Sequence, residues 1–349
     1  MVTLAAYLHD ISPFLVELSP GFGVRWYGLS YALGFAAAYL IFRWLCKRGY
    51  TQIPEQRLVD GLLVLIAMVI VGGRLGYVLI YDRAILTQVD NAFPYWGVLK
   101  LAQGGMAYHG ALVGVVLGVW WLARRNKTTI WHVGDIAALA APIGLGLGRV
   151  ANFINGELLG KIVAMPGQPA PWWSVKFPQE LTSGHEPPLT EAQQVELNAL
   201  VARVAQPGDD GYVAMSRMID AVQRGAPSLR EPLKQGLEPL LSARHPSQLY
   251  QAFFEGVVLT VVVWVLARKP HMTGMISAAF LVVYGALRVV AEFFRLPDAQ
   301  FGTHARIAGL SRGQWLSMLM VVAGVAVYGY LKKMKSPTNP GWAVRSGSV

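Results

Sequence analysis

Charge is scarce in these 349 residues: Asp, Glu, Lys and Arg together make up 14%, and 54% of the chain is hydrophobic. Soluble domains carry about 25% charge, and the mean hydropathy here is +0.40, so an ordinary water-soluble globule is excluded. There is one cysteine, Cys46, beside Lys47 and Arg48, so no disulfide can form within the chain. No H-E-x-x-H, paired cysteine or acidic cluster is present, and no metal or other cofactor is expected. With no G-x-x-x-x-G-K-[ST] loop or G-x-S-x-G elbow either, an intramembrane protease and an ATP-driven pump are not expected. A basic leader is missing too. Asp10 and Glu17 precede the first apolar run without a small-residue cleavage site, so every span is expected to stay in the mature protein.

Long apolar runs are what the sequence has instead. A helix needs about 20 residues to cross the hydrocarbon core, and such windows fall at about 27–45, 58–81, 106–123, 133–149, 249–267, 275–294 and 310–331. The fold class expected is all-α, a polytopic membrane protein of seven spans. Basic clusters follow the first span (Arg43, Lys47, Arg48), the third (Arg124, Arg125, Lys127), the fifth (Arg268, Lys269) and the seventh (Lys332, Lys333, Lys335). By the positive-inside rule this alternation puts the N-terminus outside and the C-terminus in the cytoplasm. The net charge of +10 is then accounted for by an anionic inner leaflet, and no nucleic-acid partner is needed. The domains expected are 1–160 with an outer arm and four spans, 161–246 as an extracytoplasmic head or flap, 247–335 with three spans, and 336–349 as a cytoplasmic tail. Within the head, 189–205 reads as a helix capped by Thr190. No internal repeat is visible.

Against this apolar background the ionisable residues are not scattered. A charge in mid-bilayer costs about 2.5–3.5 kcal/mol on insertion scales, which makes each one a functional candidate. In the sixth span Tyr284, Arg288, Glu292 and Arg295 follow at intervals of four, four and three, one stripe of a helix. Spans four and six both run outward, so Arg149 and Asn152 reach the level of Arg288. Span three runs inward from G-G-M-A-Y-H-G, which places His109 at that level, and span two adds Arg74. Tyr27 stands at the outer boundary, where an aromatic belt also explains the Trp26-Tyr27 pair. Several guanidinium groups at one depth suit an anion with planar oxygens, above all the phosphate of a lipid headgroup. Asn152, Asn155 and Glu157 suit glycerol hydroxyls, and Gly156 and Gly160 let the backbone turn and approach closely.

The stretch G-R-V-A-N-F-I-N-G-E (148–157) resembles the signature of the prolipoprotein diacylglyceryl transferases of bacterial inner membranes. The likeness extends to R-W-Y-G-L (25–29), G-G-R-L-G-Y-V-L (72–79), G-G-M-A-Y-H-G (104–110), R-H-P-S-Q-L-Y (244–250) and Y-G-A-L-R-V-V-A-E-F-F-R (284–295). Ala111 and Ala151 stand where the resemblance has glycine, Arg25 where it often has histidine, and 161–246 is longer than expected. The resemblance implies transfer of diacylglyceryl from phosphatidylglycerol to the lipobox cysteine of a preprolipoprotein, releasing glycerol phosphate. It places His109, Arg149, Tyr284 and Arg288 among the catalytic residues. Substrate binding would fall to Tyr27, Arg74, Arg149, Asn152, Asn155, Glu157, Gly160, His245, Gln248, Glu292 and Arg295.

Such a reaction displaces a phosphodiester from carbon. Arg149 and Arg288 would stabilise the charge gathering on phosphate, with Glu292 holding Arg288 and Glu157 the glycerol head. A free thiol has a pKa of about 8.5 and must be ionised. Either His109 takes the proton, or the arginine field lowers the thiol and His109 only hydrogen-bonds. The competing reading is a transporter for phospholipid or another anion, with the stripe lining a pathway, but the expected inverted repeat is missing.

Overall fold

The computed structural model describes residues 6–19, 21–51, 53–91, 93–101, 104–296 and 306–343. Eleven α-helices form among them: α1 (Trp26–Lys47), α2 (Leu58–Ile80), α3 (Tyr108–Arg125), α4 (Ile130–Asn155), α5 (Glu191–Ala202), α6 (Gly211–Arg224), α7 (Pro227–Leu237), α8 (Ser247–Gln251), α9 (Leu259–Leu266), α10 (Met275–Glu292) and α11 (Arg312–Lys333). A π-helical stretch, Ala252–Val258, joins α8 to α9.

Six helical runs among the described residues are long and apolar enough to cross a membrane: α1, α2 with its preceding turn, α4, Ser247–Leu266, α10 and α11. The chain is a mostly helical, multi-pass membrane protein. The remaining expected span, 106–123, folds as the 18-residue α3 and lies outside those six. Two expected helix ends shift. Helix α4 continues past 149 to Asn155, so Asn152 and Asn155 are helical residues. Helix α10 stops at Glu292, so Arg295 lies beyond it; the predicted stripe ends one residue type earlier than its spacing implied.

The chain divides into two compact units. The first comprises 1–34, 142–261 and 281–323. Its sheet has the strand order Tyr7–Leu8, Val175–Lys176, Ala243–Arg244, Ile162–Ala164, with the first pair parallel and the others antiparallel. Helices α5 to α7 bury Leu197, Leu200, Met218, Val222, Leu233 and Leu237 in one cluster. Thr190 caps α5 as expected, its hydroxyl accepting from the Gln193 amide while Gln193 reaches back, which satisfies two donors that a helix start leaves open. The N-terminal arm belongs to this body: Asp10 accepts from Arg230 at 2.5 Å, Lys234 at 2.8 Å and Tyr7 at 2.9 Å. Burial alone would raise the Asp10 carboxyl, but the bonds from Lys234, Tyr7 and Arg230 outweigh it and hold its pKa at about 2.

Close backbone approach sets the helix contacts of this unit. A Cβ on Gly256 of the π stretch would lie 2.8 Å from the Gly146 Cα of α4. Only glycine permits that spacing, the small-residue packing that membrane helices favour.

The second unit comprises 35–141, 262–280 and 324–349. Here α2 and α3 approach along Gly72, Gly76, Gly110 and Gly114, where a Cβ on Gly76 would sit 2.7 Å from the Gly110 Cα. The fully buried Asp135 of α4 accepts from Gly274 N at 2.6 Å and Ser277 N at 2.7 Å, which caps the start of α10 from a neighbouring helix. The tail strand Thr338–Asn339 pairs with His271–Met272, and Asn339 donates to the Tyr50 carbonyl at 3.1 Å.

Candidate functional site

The end of α4 explains why its signature residues stand so close. Gly156 has φ +68°, the left-handed conformation in which helices stop at glycine. Gly156 N bonds Phe153 O at 2.9 Å and Glu157 N bonds Asn152 O at 3.0 Å. These are the two reversed bonds of a Schellman cap, which satisfy the last open carbonyls and fold the chain back over its own final turn. Glu157 is thereby returned to Asn152.

The Glu157 carboxylate collects donors there. Tyr27 Oη donates to Oε2 at 2.5 Å, Asn152 Nδ2 to Oε2 at 3.2 Å and Asn155 Nδ2 to Oε1 at 3.3 Å. Asn152 also donates to the Tyr27 hydroxyl. Gln248 of α8 donates to the Glu157 carbonyl, and Ser247 to that of Leu158 at 2.9 Å. Glu157 is itself exposed, so this polar group lies open at one edge.

One turn back along α4 a second group gathers around an acid that the sequence reading passed over. Glu255, fully buried in the π stretch, accepts from Arg149 Nε at 2.9 Å and lies 3.7 Å from Arg288 Nε. Arg288 Nη1 is 3.0 Å from Glu292 Oε2, and Arg295 Nη1 is 3.9 Å from the same oxygen. Tyr284 lies within hydrogen-bonding reach of Arg149, and Ser311 donates to Glu292 at 3.1 Å. Among the described residues, three arginines are thus held by two carboxylates. Glu292 holds Arg288 as its spacing of four predicted. Glu255 was findable by the same rule that flagged the others, an ionisable residue inside an apolar run.

Other expected site residues position the chain between these groups. Gly160 forms an antiparallel bridge with Arg295, and Lys161 N bonds Phe294 O at 2.9 Å. A Cβ on Gly160 would meet the His245 carbonyl, so this approach requires glycine. His245 is packed among Trp173, Tyr250 and Phe294, with ring centroids 5.2, 5.9 and 5.3 Å away. Burial, then the charge of Lys161, pushes its pKa down. Arg244 was not foreseen; it is 1% exposed, donates to Glu180 at 2.5 Å and to the Gly160 carbonyl at 3.3 Å, and so ties the sheet to this loop.

Arg74 and His109 belong to the second unit. The Arg74 guanidinium is buried and donates to the carbonyls of Gly97 (2.7 Å), Val98 (2.8 Å), Gly104 (2.6 Å) and Gly105 (3.0 Å). That set occupies its fork with backbone, so Arg74 holds Gly97 and Val98 together with Gly104 and Gly105, ahead of α3. His109 is exposed in the first turn of α3. Among the described residues no group of His, Cys, Asp and Glu is arranged to hold a metal ion.

A sequence model of the family described as "Prolipoprotein diacylglyceryl transferase" matches residues 13–330. A phosphatidylglycerol–prolipoprotein diacylglyceryl transferase of Bdellovibrio bacteriovorus is 38% identical over 352 residues, covering 96% of this chain and 97% of that protein. Proteins of the same name from Proteus mirabilis and Neisseria gonorrhoeae are 35% and 36% identical, over 95% and 91% of this chain and 96% and 94% of their own lengths. With the match running from residue 13 into α11 at residue 330, through both polar groups, the chain belongs to the prolipoprotein diacylglyceryl transferase family.

Proposed function

We propose that this chain transfers the sn-1,2-diacylglyceryl group of phosphatidylglycerol to the lipobox cysteine of preprolipoproteins in a bacterial inner membrane. The names of its relatives point to that donor and acceptor. The observation that carries the chemistry is the pairing, at one end of α4, of an arginine-rich group with a group of hydroxyl-binding side chains. A phosphate with glycerol on either side presents those two needs together. The substrate sulfur attacks the glyceryl carbon that bears the phosphodiester oxygen. A C–S bond forms, the C–O bond breaks, and its electron pair leaves on glycerol phosphate. Arg149 and Arg288 stabilise that charge as it develops, in a site whose carboxylates hold the guanidinium forks in place beforehand. The nucleophile arrives with the peptide; the chain's own Cys46 half-buries its thiol against the Ile53 carbonyl.

The thiol proton must go elsewhere, and His109, an imidazole able to take a proton and pass it on, is the proposed acceptor. An outer N-terminus and 161–246 head, a cytoplasmic C-terminus and a site toward the outer leaflet are part of the proposal, supported by the alternating basic clusters. One experiment tests the reaction and the base. Purified protein and its His109→Gln variant are incubated with phosphatidylglycerol and a lipobox peptide from pH 6.5 to 9. The parent should add the mass of one diacylglyceryl group and release glycerol phosphate. The variant should be about 100-fold slower at neutral pH and regain ground as solvent ionises the thiol. Absence of the adduct in the parent contradicts the reaction; a constant variant-to-parent ratio contradicts the base.

A further inference from the structure

Gln248 and Glu255 mark the two ends of one strip on the α8 and π segment. Gln248 reaches the Glu157 group through the Glu157 carbonyl, and Glu255 reaches the arginine group through Arg149. Gly256, beside Glu255, and the Ala252 carbonyl both lie against Gly146 of α4, so this strip faces the helix that carries Arg149 and Asn152. Seven helical residues span roughly 10 Å, and Gln251 falls between the two ends.

Gln251 is 0% exposed, and neither its Oε1 nor its Nε2 has a hydrogen-bond partner among the described residues. Gln248 Oε1 on the strip and Asn155 Oδ1 at the end of α4 are buried and unpaired as well. Folded proteins leave only a few buried polar groups per hundred residues unmatched, because an unpaired buried amide forfeits its hydrogen bonds to water without replacement. Four such atoms, on the two helical segments that carry the two polar groups, suit the donors and acceptors of a ligand and not packing. A carboxamide offers two N–H donors and one carbonyl acceptor, enough to donate to a phosphate oxygen and to accept from a hydroxyl.

We infer that Gln251 is a headgroup-recognition residue, contacting a phosphodiester-linked polyol that bridges the two polar groups and selecting for its hydroxyls. This rests on the proposed lipid donor, and its test reads binding instead of turnover, so that the two can fail separately. Native mass spectrometry of the whole protein compares retention of phosphatidylglycerol with that of phosphatidylethanol, which carries the same phosphodiester charge without the glycerol hydroxyls. The parent should retain phosphatidylglycerol at least tenfold better. Gln251→Met keeps the length and removes the amide; it should bring the two lipids within twofold of each other while the thermal midpoint stays level or rises. Gln251→Glu, which sets a negative charge against the phosphate, should lower retention of both. Equal retention by the parent overturns the inference, as does an undiminished preference in the Met variant. Failure of Gln251→Met to fold overturns it too, because an amide without protein partners is not needed by the fold. Loss of selectivity in a protein that transfers nothing would keep the inference and sink the reaction.

Discussion

Glu255 shows how a single buried carboxylate decides what an arginine can do. With Arg149 at 2.9 Å and Arg288 at 3.7 Å, it fixes both guanidinium groups without cancelling them, since Glu292 is shared with Arg295 as well. Removing one member of a buried ionic group costs about 3–5 kcal/mol, because the charges left behind stay desolvated. Glu255→Gln should therefore lower the thermal midpoint markedly and cut turnover at least tenfold. An anionic lipid bound at the arginines would supply part of the lost charge. Added phosphatidylglycerol should thus raise the midpoint more in the variant than in the parent, and an equal rise in both would remove the phosphate from this place. The residue was hidden in plain sequence: L-Y-Q-A-F-F-E-G-V-V-L offers an acid in an apolar run, but no motif spacing links it to Arg149, which lies 106 positions earlier.

At the scale of elements, the cap on α4 converts a local conformation into a site. Gly156→Ala should cost about 1–2 kcal/mol for its left-handed backbone alone, and its Cβ would come 2.6 Å from Gln179 Nε2. Gly144→Ala is the matched control, with nothing within 4 Å of its Cβ and no positive φ. Thermal midpoints should fall for the first and hold for the second; similar midpoints would mean that the cap does not bear on stability. Hydropathy made six of the seven expected spans readable as long apolar helices, because twenty apolar positions in a row have few other uses. The polar stripe on α10 and the Thr190 cap were readable for the same kind of reason, a spacing with one geometric meaning. What escaped were features made by distant partners. Helix α4 outlasts its apolar run because Asn152, Asn155 and Glu157 satisfy one another and Tyr27. Strands of two residues carry no periodicity, and Arg74 gave the same signal as Arg149 although its partners proved to be carbonyls.

For the whole molecule, the proposed topology rests on the basic clusters at alternate span ends. A reporter fused after Lys335 should read as cytoplasmic and one inserted near Gly208 as extracytoplasmic; the reverse would put Arg149 and its neighbours on the inner side and remove the outer-leaflet donor. The parallel pairing of Tyr7–Leu8 with Val175–Lys176 adds an order of events. When the first strand leaves the ribosome its partner has yet to be translated, and at about 5–20 residues per second the wait is roughly 10–30 s. Arg230 and Lys234, which hold Asp10, come later still. The N-terminal arm therefore spends the synthesis of α1 to α4 without its sheet, and the body that carries Tyr27, Arg149 and Glu255 closes only after the chain has passed its midpoint.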